Sequence, residues 1–94
     1  MKSASRSAPQ DPQALALSAL GWILGDPARA DRLLALTGIT PDSLRSALGD
    51  PAALPEMLGA VLDFLLGNEN DLLAAADALA VAPECFATAR EHLS

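Results

Sequence analysis

Sliding the sequence along itself by 42 positions aligns residues 15–48 with 57–90 without a gap, and the residues that coincide are those that punctuate a fold. Leu20, Leu24, Gly25, Pro41 and Ala47 meet Leu62, Leu66, Gly67, Pro83 and Ala89 as identities. Trp22 meets Phe64, Asp26 meets Asn68, and Ile39 meets Val81. Two like units of 34 residues have to fold together, because neither is long enough to bury a core of its own. The expectation is one helical domain over 11–94, carrying an internal repeat at 15–48 and 57–90, behind a disordered tail at 1–10.

Each unit reads as three short helices. Leucine and alanine supply 38 of the 94 residues, aromatics number three and tyrosine is absent, which suits helices and not strands. Asp11-Pro12, Asp26-Pro27, Thr40-Pro41 and Asp50-Pro51 each set a side-chain oxygen before a proline. The oxygen accepts an orphan N–H of a first helical turn, and proline has no donor there to waste. Glycines at 25, 38, 49 and 67 supply the stops. The map is helices near 12–24, 27–37, 41–48, 52–66, 69–79 and 83–93. Pro55 would clash inside a helix begun at Pro51, so the fourth helix starts at Pro55 if 51–54 is a turn. The fold class is all-α: a compact bundle of about six short helices, two three-helix units related by a pseudo-two-fold axis, with a helix-turn-helix-like corner.

On a helical wheel Met57, Leu58, Val61, Leu62, Phe64, Leu65 and Leu66 cover an arc of roughly 200°, which predicts a central helix. The remaining sector holds Glu56, Gly59, Ala60, Asp63 and Gly67, and its counterpart holds Ala14, Ser18, Gly21 and Gly25. Such small residues would let the first and fourth helices approach closely there, with Trp22 and Phe64 as the largest core pieces. Asp63 beside a packed sector would need a donor, with Arg29 and Arg32 the nearest candidates.

Every carboxylate lies at or after Asp11, whereas Lys2 and Arg6 lie before it, so the remaining residues carry twelve acids against four bases. That balance is unfavourable for nucleic acid. The single cysteine, Cys85, has no disulfide partner within the chain and fits a cytoplasmic location. Asp63 interrupts the longest apolar run, well short of the ~18 residues of a membrane span, so no membrane contact is expected. Lys2 and Arg6 before the apolar stretch 14–24, with Ala28-Arg29-Ala30 beyond it, imitate a secretion signal, but Pro9, Asp11 and Pro12 suit a helix start better.

Residues 33–48 resemble a helix-turn-helix: an apolar helix, Gly38 in the turn, Ile39, then a second helix anchored by Leu44 and Ala47. A DNA reader would offer cations and amides from that second helix, and here only Arg45, Ser43 and Ser46 could serve, beside Asp42. A structural corner is the better reading. His92, in the last turn of the last helix, interacts with the helix dipole. Cys85 reads as a small, partly buried residue. Carboxylates such as Asp26, Asp31, Glu69 and Asp71 sit in first turns and compensate helix dipoles, so no catalytic pair, metal site or cofactor is indicated.

The run Leu34-Ala35-Leu36-Thr37-Gly38-Ile39-Thr40-Pro41, followed by Val61-Leu62-Asp63-Phe64-Leu65-Leu66-Gly67-Asn68-Glu69, resembles domain-of-unknown-function family 3572 over nearly all of 14–90. The resemblance implies a compact helical cytoplasmic protein of this length, from a small group found mainly in alphaproteobacteria. It implies no activity, ligand or site residue. What the residues themselves suggest is a non-enzymatic protein–protein interaction module or small homodimer, docking through leucine-rich faces at Leu33, Leu34, Leu36, Leu72, Leu73 and Leu79. The alternative is a DNA-binding regulator using Arg45, Ser43 and Ser46.

Overall fold

Asp11, Asp26 and Thr40 each open a helix, as the proline that follows each of them predicts. The three helices are α1 (Pro12–Leu24), α2 (Pro27–Thr37) and α3 (Pro41–Leu48). Asp11 accepts the Ala14 N–H at 2.9 Å, Asp26 the Arg29 N–H at 3.1 Å, and Thr40 the Ser43 N–H at 3.0 Å. Ser43 accepts the Thr40 N–H in return, which closes a capping box. In this computed structural model, which describes residues 11–93, three further helices follow: α4 (Leu54–Leu66), α5 (Glu69–Leu79) and α6 (Glu84–His92). The tail expected at 1–10 lies outside the described residues.

Asp50-Pro51 is a false start. Asp50 accepts the Ala52 N–H two residues on and forms a turn, and α4 begins at Leu54 with Pro55 in its first turn, where the absent donor costs nothing. The fold is all-α, with no strand among the described residues.

The bounds of the first two helices in each half keep the 42-residue offset seen in the sequence, while α6 starts one residue late and runs two further than α3 would. α1 and α4 both have 13 residues, and α2 and α5 both have 11. Burial follows the same register. Leu15, Ala16, Ala19, Leu20, Ile23, Leu33 and Ala47 are buried, and so are Met57, Leu58, Val61, Leu62, Leu65, Ala75 and Ala89. The second half buries Gly59, Phe64, Ala76 and Phe86 in addition, whose counterparts Leu17, Trp22, Leu34 and Leu44 are half-buried or exposed.

α4 is the central helix and touches all five others. α6 lies against both α1 and α4, while α2 and α5 each reach the same two helices. α3 rests on α4 alone and makes no contact with α1, so the correspondence between the halves stops at their third helices. Fully burying a Leu, Ile or Phe side chain contributes about 1.5–3 kcal/mol, and Ile23, Leu33, Leu58, Leu62, Leu65 and Phe86 are all fully buried.

Three sequence expectations about this core need correction. Phe64 is buried, but Trp22 is only half-buried at the rim, and Phe86 is the largest side chain fully enclosed. Trp22 instead serves Arg29, whose guanidinium lies 3.8 Å over the ring centroid and donates to the Trp22 carbonyl at 2.7 Å. Nor does the small-residue sector of α1 face α4. α1 turns Leu15, Ala19 and Ile23 inward, because burying that face removes more apolar area from water than burying alanine, serine and glycine would. Finally, Asp63 pairs with Arg90 of α6 at 2.8 Å and not with either cation of α2, since Arg29 is held by Trp22 and Arg32 by Asp71 at 2.9 Å.

Candidate functional site

The leucines of α2 and α5 expected to form docking faces differ widely in exposure. Leu33 is fully buried, which removes it from any partner surface. Leu34, Leu72 and Leu79 are half-buried, and the last two pack against the core. Leu36 and Leu73 alone stand out, at 65% and 48% exposed. Leucine content on a helix counted for less than which turn of it faced inward.

The corner at Gly38 is a tight turn. Gly38 has φ 76°, a left-handed conformation that glycine takes without a Cβ clash, and Thr37 bridges the turn by donating to the Leu33 carbonyl and accepting the Ile39 N–H. α2 and α3 do not pack on each other across it. Of the DNA-contact candidates, Arg45 pairs with Asp42 of its own helix at 3.2 Å, Ser43 is engaged in the capping box, and Ser46 is exposed. The guanidinium therefore faces a carboxylate one turn away, which offsets the charge a phosphate would need.

Between the start of α1 and one face of α6 lies a cleft of about 470 Å³. Leu15, Pro12 and Ala89 line it, Asp11, Glu84 and Thr88 add polar groups, and Cys85 and His92 both reach it. The spacing 85, 88, 89, 92 put these α6 residues on one face, but nothing in the sequence said that α1 would lie opposite. Cys85 is a half-buried free thiol and His92 is exposed. No group of three metal-ligating side chains occurs among the described residues.

The outer face of α1 is the more unusual surface. No residue from Pro12 to Gly25 carries a charge. Ala14, Leu17, Ser18, Gly21, Leu24 and Gly25 are all exposed, on an arc opposite the buried one. Leu17 and Leu24, seven residues apart, flank Gly21, and a Cβ built at Gly21 would meet nothing within 4 Å. An exposed mid-helix glycine costs about 0.5–1 kcal/mol relative to alanine, and no contact within the described chain calls for one here.

The counterpart face on α4 is covered only in part: Gly59 is buried and Ala60 half-buried, while Glu56, Asp63, Leu66 and Gly67 are exposed. A Cβ at Gly59 would lie 3.2 Å from the Arg90 guanidinium, which would have to shift by a few tenths of an ångström to admit it. The Arg90 Nε donates to Asp63, and this hydrogen bond raises the guanidinium pKa above its usual value. No single helix among the described residues is long and apolar enough to cross a membrane.

The family model described as Protein of unknown function (DUF3572) matches residues 9–94. No curated protein and no solved structure matches the chain.

Proposed function

We propose, for a chain that belongs to the family of proteins of unknown function DUF3572, a non-catalytic role in the cytoplasm as a protein–protein interaction module that docks through the outer face of α1. The observation that carries this reading is the uncharged exposed seam of Leu17, Gly21 and Leu24 on a chain of net charge −6. A helix that is apolar all round is normally buried all round, and α1 is buried on one side only. The spacing of its exposed leucines fits a partner helix laid along it, with Gly21 admitting a close crossing. The half-buried free thiol of Cys85 suits the reducing compartment.

The test is a charge placed in the seam. Leu17→Glu and Leu24→Glu stay at exposed positions, so circular dichroism should match the parent protein. Whatever the parent retains in a pull-down, or whatever self-association it shows by light scattering, should fall by about tenfold or more in the double variant. An unchanged profile in both measurements rejects the docking face.

A further inference from the structure

Residues 1–10 carry two of the six lysines and arginines of the chain, Lys2 and Arg6, and no carboxylate. The other four cations are engaged: Arg32 with Asp71, Arg45 with Asp42, Arg90 with Asp63, and Arg29 over the Trp22 ring. The cleft between α1 and α6 has the opposite balance. Asp11 stands on its α1 side and Glu84 on its α6 side, and neither has an ion-pair partner among the described residues. Of the lining residues only His92 is basic.

The floor of the cleft is apolar, built from Pro12, Leu15 and Ala89, with Leu15 and Ala89 buried. Ala4, Ala8 and Pro9 are small apolar side chains of the kind that such a floor accepts. Carboxylates elsewhere on the surface offer charge alone, whereas the cleft joins charge to apolar area.

We propose that residues 2–9 fold back over this cleft as a strap, with Lys2 and Arg6 facing its two carboxylates, and that the strap shields the Cys85 thiol. The inference goes beyond the docking role of α1, whose outer face the cleft does not include. Reach is sufficient. Asp11 is itself part of the cleft, so the strap is tethered at the rim. The chain from Asp11 back to Arg6 spans up to about 17 Å and back to Lys2 about 30 Å, against about 12 Å of α6 from Glu84 to His92. A tether this short presents the segment to the cleft at a high effective concentration, so weak contacts are enough to hold it. Exposed ion pairs are weak and screened by salt, so closure is partial and loosens as salt is added.

A nitroxide reads the position of the segment directly. In the whole chain, Cys85→Ser removes the native thiol and Ala4→Cys carries the label. A segment that is merely tethered also broadens its neighbours, so the same chain with Lys2→Glu and Arg6→Glu sets the baseline. At about 20 mM salt the amides of Thr88, Ala89 and His92 should broaden well beyond that baseline, and at about 0.5 M salt the excess should disappear. The amides of α3, which rests on α4 alone, should match in both chains. The native Cys85 gives a second reading without a label, by its rate of alkylation with uncharged iodoacetamide. A cleft closed about two-thirds of the time slows that reaction about threefold, and Lys2→Glu with Arg6→Glu should restore the factor.

Equal broadening at the cleft in the labelled chain and its charge-reversed form overturns the strap and leaves the cleft to a separate ligand. An alkylation rate that charge reversal leaves unchanged overturns the shielding of Cys85.

Discussion

α1, α2 and α3 each begin on a side-chain oxygen that accepts a first-turn N–H. α4, α5 and α6 begin on Ala53, Asn68 and Pro83 with no side-chain cap. Asn68 stands where the first half has Asp26, yet its amide turns back to donate to the Phe64 carbonyl at 2.7 Å. What the second half lacks in caps it has in burial: seven residues of α4 are buried against five of α1, and Phe86 is enclosed where Leu44 is only half so. The two halves are thus held in different ways, the first by its helix ends and the second by its packing. Caps are worth about 1 kcal/mol each and buried large side chains several times that, so the second half should dominate stability.

The sharpest way to break this contrast is at the third helices. Phe86→Ala should cost about 3–5 kcal/mol by urea denaturation, the range for emptying a fully buried aromatic site. Leu44→Ala should cost less than half of that, because Leu44 is already partly solvated and its helix rests on α4 alone. Equal costs would mean that α6 does not anchor the core. A smaller but cleaner contrast lies at the ends of α2 and α5. Gly38 and its counterpart Ala80 are both left-handed, at φ 76° and 60°, and Ala80 is the only non-glycine residue with positive φ among the described residues. The Val81 N–H reaches the Ala76 carbonyl and the Ala80 N–H reaches that of Asp77, a Schellman ending that keeps the strained alanine in place. Ala80→Gly should therefore stabilise the protein, and Gly38→Ala destabilise it, by about 1–2 kcal/mol each. Thermal melts of the two variants should move in opposite directions, and a shift of the same sign in both would sink the equivalence of the two turns.

This difference in how the halves are held is also why they were unequally legible. Asp11-Pro12, Asp26-Pro27 and Thr40-Pro41 announce helices by local chemistry, and α1, α2 and α3 start where they say. Asp50-Pro51 announces one that Pro55 forbids, a conflict visible in the sequence and resolved by a three-residue delay. The helical wheel foretold six of the seven buried positions of α4, since period is a property of the chain, but it set Leu66 inside and Gly59 outside, and the structure reverses both. Which sector of α1 would face outward was not legible, because that depends on α3 staying away from α1, and no local signal marks a contact that is absent. The Asp63–Arg90 pair was missed for the same reason: Arg90 is 27 residues away, on a helix whose resting place only tertiary packing decides. Leucine count likewise pointed to α2 and α5 as docking faces, although Leu33, Leu72 and Leu79 serve the core.

The smallest effect probes the helix that depends most on its cap. α3 has eight residues, touches only α4, and has Ala47 as its one buried residue. Helices this short are not stable on propensity, so the capping box carries a large share of what keeps α3 formed. Thr40→Ala removes the acceptor for the Ser43 N–H and should cost about 1 kcal/mol, felt locally before it is felt globally. Native-state hydrogen exchange should show the amides of 44–48 opening about fivefold faster while those of α4 and α6 stay within error. Faster exchange spread evenly over all six helices would show that α3 is coupled to the core as tightly as α6, and the contrast between a half held by caps and a half held by burial would not survive it.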